Sequence, residues 1–209
     1  MPTLLSVNIG SPQLLPGSAT PTGIVKLPRT GPVAIDDMGL LGDAVFDKKH
    51  HGGRDQAVYI YLQSDYDWWA AELGSPLAPG TFGENLTIGG LRGDTLAIGD
   101  RLRIGDVLLE VTYHRTPCAT LGRKMGDPRW VKRFARALRP GAYMRVLAPG
   151  TIEAGMAVDY TPFAGERVTV SELMATDGMR ERPRELMERV LRTPVREKTR
   201  EKYGALLTP

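Results

Sequence analysis

The segment RLRIGDVLLEVTYHRTPC (101–118) combines a predicted hairpin with the single cysteine of the chain. Residues 101–104 and 107–113 are strand-like, and Gly105-Asp106 between them suits a type II′ turn, which takes glycine at its first central position. The second strand runs into a short basic loop in which proline directly precedes Cys118. The segment therefore predicts an antiparallel pair of strands that presents a thiol from a stiff loop at its end.

Short apolar stretches continue on both sides of this hairpin, up to about residue 160. Residues 57–62 and 142–147 mix β-branched and aromatic side chains at strand length, and glycine and proline are frequent between such stretches. Many short strands separated by turn residues are typical of a barrel or a sandwich. We therefore predict a mainly β fold for residues 1–162, a β-barrel with a few helices.

Two helices are predicted inside this β-rich part. The first has Ser64 as its capping residue and Gly74 as its stop. The second has Asp127 at the N-cap and Pro128 at the first helical position, with apolar residues on one face and its end at Arg139.

The composition and pattern of the sequence change at about residue 163, where strand alternation is replaced by charged, helix-forming sequence. Thr169 and Glu172 have the spacing of a capping box, in which each side chain bonds to the other residue's backbone N–H. We predict a second, small domain of three helices over residues 163–209.

Composition excludes several classes of protein. The 209 residues include 27 basic and 24 acidic ones, interleaved along the chain, so no nucleic-acid partner is predicted. No apolar stretch approaches the roughly 18–20 residues of a membrane span, and the first residues do not resemble a secretory signal. One cysteine excludes an internal disulfide. A cytoplasmic location is the expectation.

Cys118 has two interpretations. A lone cysteine is often a small buried hydrophobic residue. Its neighbours His114 and Arg115 instead favour a thiolate, which either attacks electrophiles or binds a metal. As a nucleophile it would need a base, for which His50, His51 or His114 are the candidates. A structural zinc site is not predicted, because one cysteine and three histidines lack paired-ligand spacing.

Two further clusters are ambiguous when taken alone. His-Gly-Gly-Arg at 51–54 is either a plain glycine turn before a strand or an anion site. In the second case the glycines admit a ligand close to the backbone while His51 and Arg54 donate to it. Within FGENL (82–86), Glu84 and Asn85 belong either to an ordinary loop or to a site in which Asn85 bonds a ring amide.

Together and in this order, the clusters resemble the MOSC domain, named from the C-terminal domain of molybdenum cofactor sulfurases. The similarity is to the stand-alone bacterial branch that carries a C-terminal three-helix domain. It covers nearly the whole chain and is carried by TGIVKLP (22–28), residues 39–61, FGENL (82–86), residues 98–118 and residues 141–155.

The resemblance implies a β-barrel with a few helices, a molybdenum cofactor (a molybdenum pyranopterin), and roles for named residues. Cys118 matches the cysteine that binds molybdenum or handles sulfur. Lys26 matches the basic residue at the phosphate end of the cofactor. The remaining polar positions of the family's cofactor pocket match His51, Asn85, Arg115 and Arg145. Surface ion pairs are the alternative role for the two arginines. The chain has His114 and Thr116 where the family's usual motif reads PRQPC.

The resemblance also implies an activity: reduction of N-hydroxylated compounds such as hydroxylaminopurines. The sequence has no cysteine set for an iron–sulfur cluster and no glycine-rich dinucleotide fingerprint, so a separate electron-donor protein is expected. The three-helix tail either docks that donor or packs against the barrel. The chain could also form a homodimer.

Two other functions stay open at this point. The chain could carry or deliver the cofactor or activated sulfur without turnover, although a sulfurase also needs a pyridoxal-phosphate domain. Barrel and tail leave no room for that domain, so pyridoxal phosphate is not expected. Alternatively, Cys118 and a histidine could form a metal-free hydrolase.

Overall fold

The computed structural model describes residues 1–44 and 52–208. Eleven strands lie at Thr3–Gly10 (β1), Lys26–Pro28 (β2), Val33–Asp36 (β3), Gly39–Leu40 (β4), Val58–Leu62 (β5), Leu86–Gly89 (β6), Arg101–Ile104 (β7), Val107–His114 (β8), Ala142–Ala148 (β9), Gly150–Ile152 (β10) and Asp159–Thr161 (β11). The α-helices of the described ranges lie at Gln63–Leu73 (α1), Ala119–Lys124 (α2), Trp130–Ala137 (α3), Val170–Ala175 (α4), Arg184–Leu191 (α5) and Glu197–Leu207 (α6).

Most of the strands form one sheet in the order β11-β7-β8-β9-β5-β6-β1-β2, and β10-β3-β4 form a smaller one. The β7–β8 hairpin is confirmed, and Gly105 has the positive φ of 58° that its turn requires. β5 and β6 are parallel, with α1 in the connection between them. The mainly β prediction is therefore confirmed, with more helix than the sequence indicated.

The predicted barrel is not closed in the part of the chain that the structure describes, because the larger sheet ends at β2 and β11. Residues 155–158 do approach β1: the Leu4 N–H donates to the Met156 carbonyl at 2.9 Å, and the Val158 N–H donates to the Pro2 carbonyl at 3.0 Å. Pro2 itself has no N–H to donate, so this contact stays a single bridge rather than a ladder.

β5 is buried along its whole length because both of its faces are covered. Val58, Ile60 and Leu62 point into the aliphatic core of the sheet. Tyr59 and Tyr61 point the other way, into a second, largely aromatic cluster, as the two-residue period of a strand dictates.

Helices α1 and α3 cover that aromatic cluster, which we call the aromatic layer. Trp69 of α1 and Phe134 of α3 stack with ring centroids 6.2 Å apart, and the Trp69 indole N–H donates to the Tyr61 hydroxyl at 2.8 Å. The other large rings of the layer are Tyr59, Tyr66, Phe82, Trp130 and Tyr143. The layer fixes the sheet face from which the candidate site is built.

The predicted helix ends are correct in part. Gly74 ends α1 in the left-handed conformation, but Ser64 is not its cap: the helix begins at Gln63, and the Ser64 hydroxyl accepts from the Gly93 N–H. α3 begins only at Trp130, because Asp127 forms a turn of its own by accepting from the Arg129 N–H at 2.9 Å. It ends two residues before the predicted Arg139.

The tail contains the three predicted helices α4, α5 and α6. The cap is confirmed, since the Thr169 hydroxyl accepts from the Glu172 N–H at 3.0 Å. Tail side chains such as Leu173, Val190 and Tyr203 belong to the same hydrophobic cluster as the strands. The boundary at residue 163 stays a prediction.

One buried carboxylate joins the tail to the sheet. Asp100 is fully buried and accepts from the Tyr160 hydroxyl at 2.7 Å, from the Phe163 N–H at 2.9 Å and from the Arg167 guanidinium at 2.7 Å. Because a buried charge must be paired, this cluster holds the start of the tail in one position.

Candidate active site

A cavity of about 630 Å³ opens where the end of β8, the starts of β5 and β9, and β2 come together. Four of the predicted site residues line it: Lys26, Asn85, Arg115 and Cys118. They come from segments up to 92 positions apart, Lys26 to Cys118, so the fold brings the motifs together. The volume falls within the range of roughly 300–1,000 Å³ that is usual for pockets binding small molecules and cofactors.

Cys118 lies at the cavity wall rather than in the core. It follows β8 and occupies the N-cap position of α2, with an extended backbone and a partly exposed side chain. α2 was not predicted from the sequence, and its six residues include Gly122, a weak helix former. The interpretation of Cys118 as an ordinary buried hydrophobic residue is therefore not supported.

Arg115 is the most unusual group of the site. Its side chain is only 3% exposed, and its guanidinium lies over the rings of Tyr59 and Phe134, 5.7 and 5.4 Å from their centroids. Its Nη1 atom is buried and has no hydrogen-bond partner among the described residues. A buried cationic donor without a partner is costly in free energy, which points to an anionic ligand that would satisfy it.

Lys26 is also buried, but its charge is already paired. Its Nζ atom forms a short ion pair with the Asp43 carboxylate, which also accepts from the Gly10 N–H at 2.8 Å. Burial lowers the pKa of Lys26, and the nearby Asp43 carboxylate opposes that shift. Lys26 thus lines the cavity, next to a carboxylate with which an incoming phosphate would have to compete.

The Asn85 amide bonds to the protein on both sides. Its Oδ1 accepts from the Tyr59 N–H at 3.1 Å, and its Nδ2 donates to Asp43 at 2.9 Å and to the Asn8 carbonyl at 3.4 Å. Asn85 therefore braces the cavity wall, and the predicted bond to a ring amide would compete with these contacts. The adjacent Glu84 is fully buried, accepts from the Tyr66 hydroxyl and the Gly80 N–H, and is not part of the cavity wall.

The cavity wall is strongly cationic. Among the described residues, five basic side chains and one carboxylate, Asp43, line it. The basic residues are Lys26, Arg115, Arg123, Arg196 and Lys198. Because these five positive charges outnumber the one negative charge of Asp43, the cavity is suited to a ligand with several negative charges.

Two predicted residues lie away from the cavity. Arg54 is 77% exposed and pairs with Asp37 at 2.7 Å. Arg145 pairs with Asp55 at 2.9 Å and donates to the Pro194 carbonyl at 3.1 Å, which links β9 to the tail. Arg145 thus forms an ion pair, the alternative considered for it, and neither Arg54 nor Arg145 is among the cavity-lining residues.

The histidines divide between described and undescribed parts of the chain. His50 and His51 lie outside the described residues. His114 is fully buried, stacks on Tyr113 and does not line the cavity, with Nε2 3.4 Å from Asp177. Burial lowers the pKa of His114 to about 4, so it is neutral at pH 7 and adds no positive charge beside the sulfur. Gly52, the glycine after His51, does line the cavity, with φ of 80°.

Several functional candidates carry no clear sequence signal. Asp43 and the aromatic wall residues Tyr59 and Tyr143 were not predicted, although both tyrosines lie in predicted strands. A tyrosine at one face of a strand is usual, and only the three-dimensional structure shows that this face meets a cavity. In the described ranges, no three His, Cys, Asp or Glu side chains cluster as a metal site.

Comparison with known proteins identifies the family. The model of the MOSC domain matches residues 47–159. This chain belongs to the MOSC domain family. The family is associated with molybdenum-cofactor binding. Cys118 in the cavity wall lies within the matched region, whereas other lining residues, such as Lys26 and Lys198, lie outside it.

The relatives agree with the stand-alone branch. The chain is 31% identical over 159 residues to the protein YiiM of Escherichia coli, covering 74% of this chain and 70% of YiiM. The crystal structure of YiiM from Geobacillus stearothermophilus superimposes with a TM-score of 0.81 at 25% identity, over the whole of both chains. A Gibberella moniliformis protein named reductase is 38% identical over 145 residues, 66% of this chain but only 25% of that protein.

None of the helices in the described segments is long and apolar enough to cross a bilayer.

Proposed function

We propose that this MOSC protein is a molybdenum-cofactor oxidoreductase that reduces N-hydroxylated compounds, such as hydroxylaminopurines, with electrons from a separate donor protein. One observation carries the proposal: the thiol of Cys118 and the unsatisfied Nη1 of Arg115 belong to the same cationic cavity. The names YiiM and reductase among the relatives support it.

The residues fit the cofactor in charge and in ligand type. A thiolate is a soft ligand suited to molybdenum, and Cys118 is partly exposed at the wall. Arg115 has an open donor for an anionic group, and Arg123 and Lys198 add positive charge around it. When bound, the cofactor would supply the two-electron redox centre that the chain's own side chains lack.

The chain's own residues would bind and orient the reactants. The aromatic rings of Tyr59 and Tyr143 form an apolar wall suited to a flat heterocycle. The Tyr59 hydroxyl donates to the Pro140 carbonyl at 2.9 Å, so it is not available to bond the heterocycle. Asp43 holds the Nζ atom of Lys26 at the cavity wall.

The reaction also explains why a partner is needed. Converting an N-hydroxylamine to an amine consumes two electrons and two protons and releases one water. Cys118 is the chain's single cysteine, so no dithiol within one chain can supply the electrons. We therefore propose that a separate redox protein delivers them.

The hydrolase alternative has weaker support. A cysteine hydrolase needs a histidine base near the sulfur, and His114 is buried and absent from the cavity wall, while His50 and His51 lie outside the described residues. Thioester or amide cleavage by metal-free protein would nevertheless favour it directly.

The test begins with protein made in a host that synthesises the cofactor. Molybdenum per chain is measured by mass spectrometry, and 6-hydroxylaminopurine reduction is followed with a reduced dye as electron source. The proposal predicts near-stoichiometric molybdenum and turnover to adenine. Bound molybdenum without turnover would instead show a carrier or delivery module, and an absence of molybdenum would contradict both functions.

A further inference from the structure

A second cleft, of about 340 Å³, adjoins the active-site cavity on the side of the tail. It lies between the end of β8, the turn after α4, and α6. Thr116, Arg196 and Lys198 line both the cleft and the cavity, so the two spaces share a wall. Nothing in the proposed function uses this cleft.

The cleft is cationic. Four basic side chains line it, against the single carboxylate of Asp177. The four are Arg182, Arg196, Lys198 and Lys202. Their formal sum with Asp177 is +3, which suits a ligand group with two negative charges.

The two arginines are held in place by the protein. Arg182 bonds to Asp177 at 2.7 Å and to the Thr176 carbonyl at 3.2 Å. Arg196 lies over the Tyr113 ring, 3.3 Å from its centroid, and its Nε donates to the Thr199 hydroxyl at 2.9 Å. Donors fixed in this way lose little conformational entropy when an anion binds.

The two lysines are placed differently. Lys198 and Lys202 are exposed and four residues apart on α6, so they project from the same side of the helix. Within the described residues neither forms an ion pair.

A buried hydroxyl points independently to a ligand. Tyr203 lines the cleft and is only 1% exposed; its hydroxyl lies beside the Arg182 guanidinium, which can only donate, and has no hydrogen-bond acceptor among the described residues. Buried polar atoms are almost always bonded, so an unsatisfied one at a cleft wall indicates a missing acceptor. An oxygen atom of an anion would supply that acceptor.

We propose that this cleft binds the phosphomonoester group of a phosphorylated substrate whose N-hydroxylated ring occupies the adjoining cavity. The inference rests on the proposed function and narrows its substrate class to nucleotides. Thr116 in the shared wall is two residues from Cys118, so their Cα atoms are at most about 7.6 Å apart. The small volume and the buried Tyr203 hydroxyl favour a small anion over the surface of an acidic protein.

Binding is tested by calorimetry on the full chain with AMP, adenine and inorganic phosphate. We expect AMP to bind more tightly than adenine and phosphate to compete with it. Lys202→Gln removes a charge that only the cleft uses, and Tyr203→Phe removes the unsatisfied hydroxyl. Each change should weaken AMP binding about three- to tenfold, as loss of one charge-assisted bond does. Lys132→Gln, on the exposed side of α3, is the matched control and should leave it unchanged.

Kinetics separate the inference from the function on which it rests. We expect the kcat/KM for 6-hydroxylaminopurine ribonucleoside 5′-monophosphate to exceed that for the free base, and Lys202→Gln to remove the difference. If the free base is reduced but AMP affinity is unchanged in both Lys202→Gln and Tyr203→Phe, the cleft proposal fails and the function stands. If neither compound is reduced while AMP binding depends on Lys202 and Tyr203, the anion site stands and the function fails. Phosphate binding that AMP does not displace, or binding of an acidic redox protein alone, would overturn the cleft proposal.

Discussion

At the scale of the residue, Arg115 allows a direct test of whether a buried cation lowers stability and supports cofactor binding. Its guanidinium is buried over two rings, yet its Nη1 atom has no partner in the described structure. Arg115→Met keeps the apolar contact and removes the unsatisfied charge. We expect a protein at least as stable as the wild type, by up to about 2 kcal/mol in urea unfolding, because an unsatisfied buried donor costs roughly 1–3 kcal/mol.

The same variant should lose the cofactor. Molybdenum per chain is expected to fall at least tenfold in Arg115→Met. Arg115→Lys is the comparison that keeps the charge, and it should also bind poorly because an ammonium cannot reproduce the planar guanidinium fork. Full molybdenum content in Arg115→Met would mean that this arginine has only a structural role.

His114 predicts a specific acid sensitivity. Burial lowers its pKa to about 4, whereas the unfolded chain has the ordinary value of 6.5. The unfolded state therefore binds more protons between these values, and stability is lost as the pH falls through that window. The loss between pH 7.5 and pH 5 should be on the order of 2 kcal/mol.

His114→Gln, measured by urea unfolding at pH 7.5 and pH 5, removes the titrating group. The variant should lose less stability on acidification than the wild type, whatever its stability at pH 7.5. An identical loss in both proteins would show that other groups cause the acid sensitivity.

At the scale of secondary structure, the aromatic layer connects packing to the site. Phe134 of α3 is fully buried and lies under the Arg115 guanidinium. Phe134→Ala should cost about 3–5 kcal/mol in the free energy of unfolding, the usual cost of truncating a buried aromatic side chain. Arg136→Ala, on the exposed face of the same helix, is the control and should change stability little.

Loss of Phe134 should also disturb the cofactor site. We expect lower molybdenum occupancy in Phe134→Ala than in Arg136→Ala at a temperature where both proteins are folded. Equal occupancy would show that Arg115 does not depend on this ring for its position.

The elements also show which features a sequence can predict. The β7–β8 hairpin, the strands around Tyr59 and Tyr143, and the Thr169 cap were predictable because turn chemistry, strand period and capping are local properties. α2 was not predictable, since it is six residues long and its position depends on contacts such as Lys124 Nζ with the Ile24 carbonyl, a hundred residues away.

The candidate site divides in the same way. The resemblance placed Lys26, Asn85, Arg115 and Cys118 on one cavity, and they do line it. The resemblance could not show that Arg145 bonds to Asp55 and the tail. The partners of a long side chain depend on which distant residues the folded chain brings close.

At the scale of the molecule, Asp100 links sheet and tail. It is fully buried and accepts bonds from Tyr160, Phe163 and Arg167. Asp100→Ala leaves these donors without their acceptor and should cost about 3–5 kcal/mol. It should also increase proteolysis after residue 163. Asp94→Ala, which removes an exposed pair with Arg92, is the control and should have little measurable effect.

A change in stability without any change in proteolysis of the tail would contradict the linking role of Asp100. Shared packing makes the same point: side chains from strands and tail helices form one cluster. We therefore expect a single unfolding transition when near-ultraviolet and far-ultraviolet circular dichroism are followed together.

The central claim is that the sulfur of Cys118 holds molybdenum, and its most direct test is the metal content of Cys118→Ser. Because Cys118 is partly exposed at the cavity wall, the variant should keep the wild-type melting temperature and near-ultraviolet spectrum. Such folded protein, purified from a cofactor-competent host, is expected to contain less than a tenth of the wild-type molybdenum. Wild-type molybdenum content in folded Cys118→Ser would contradict this claim.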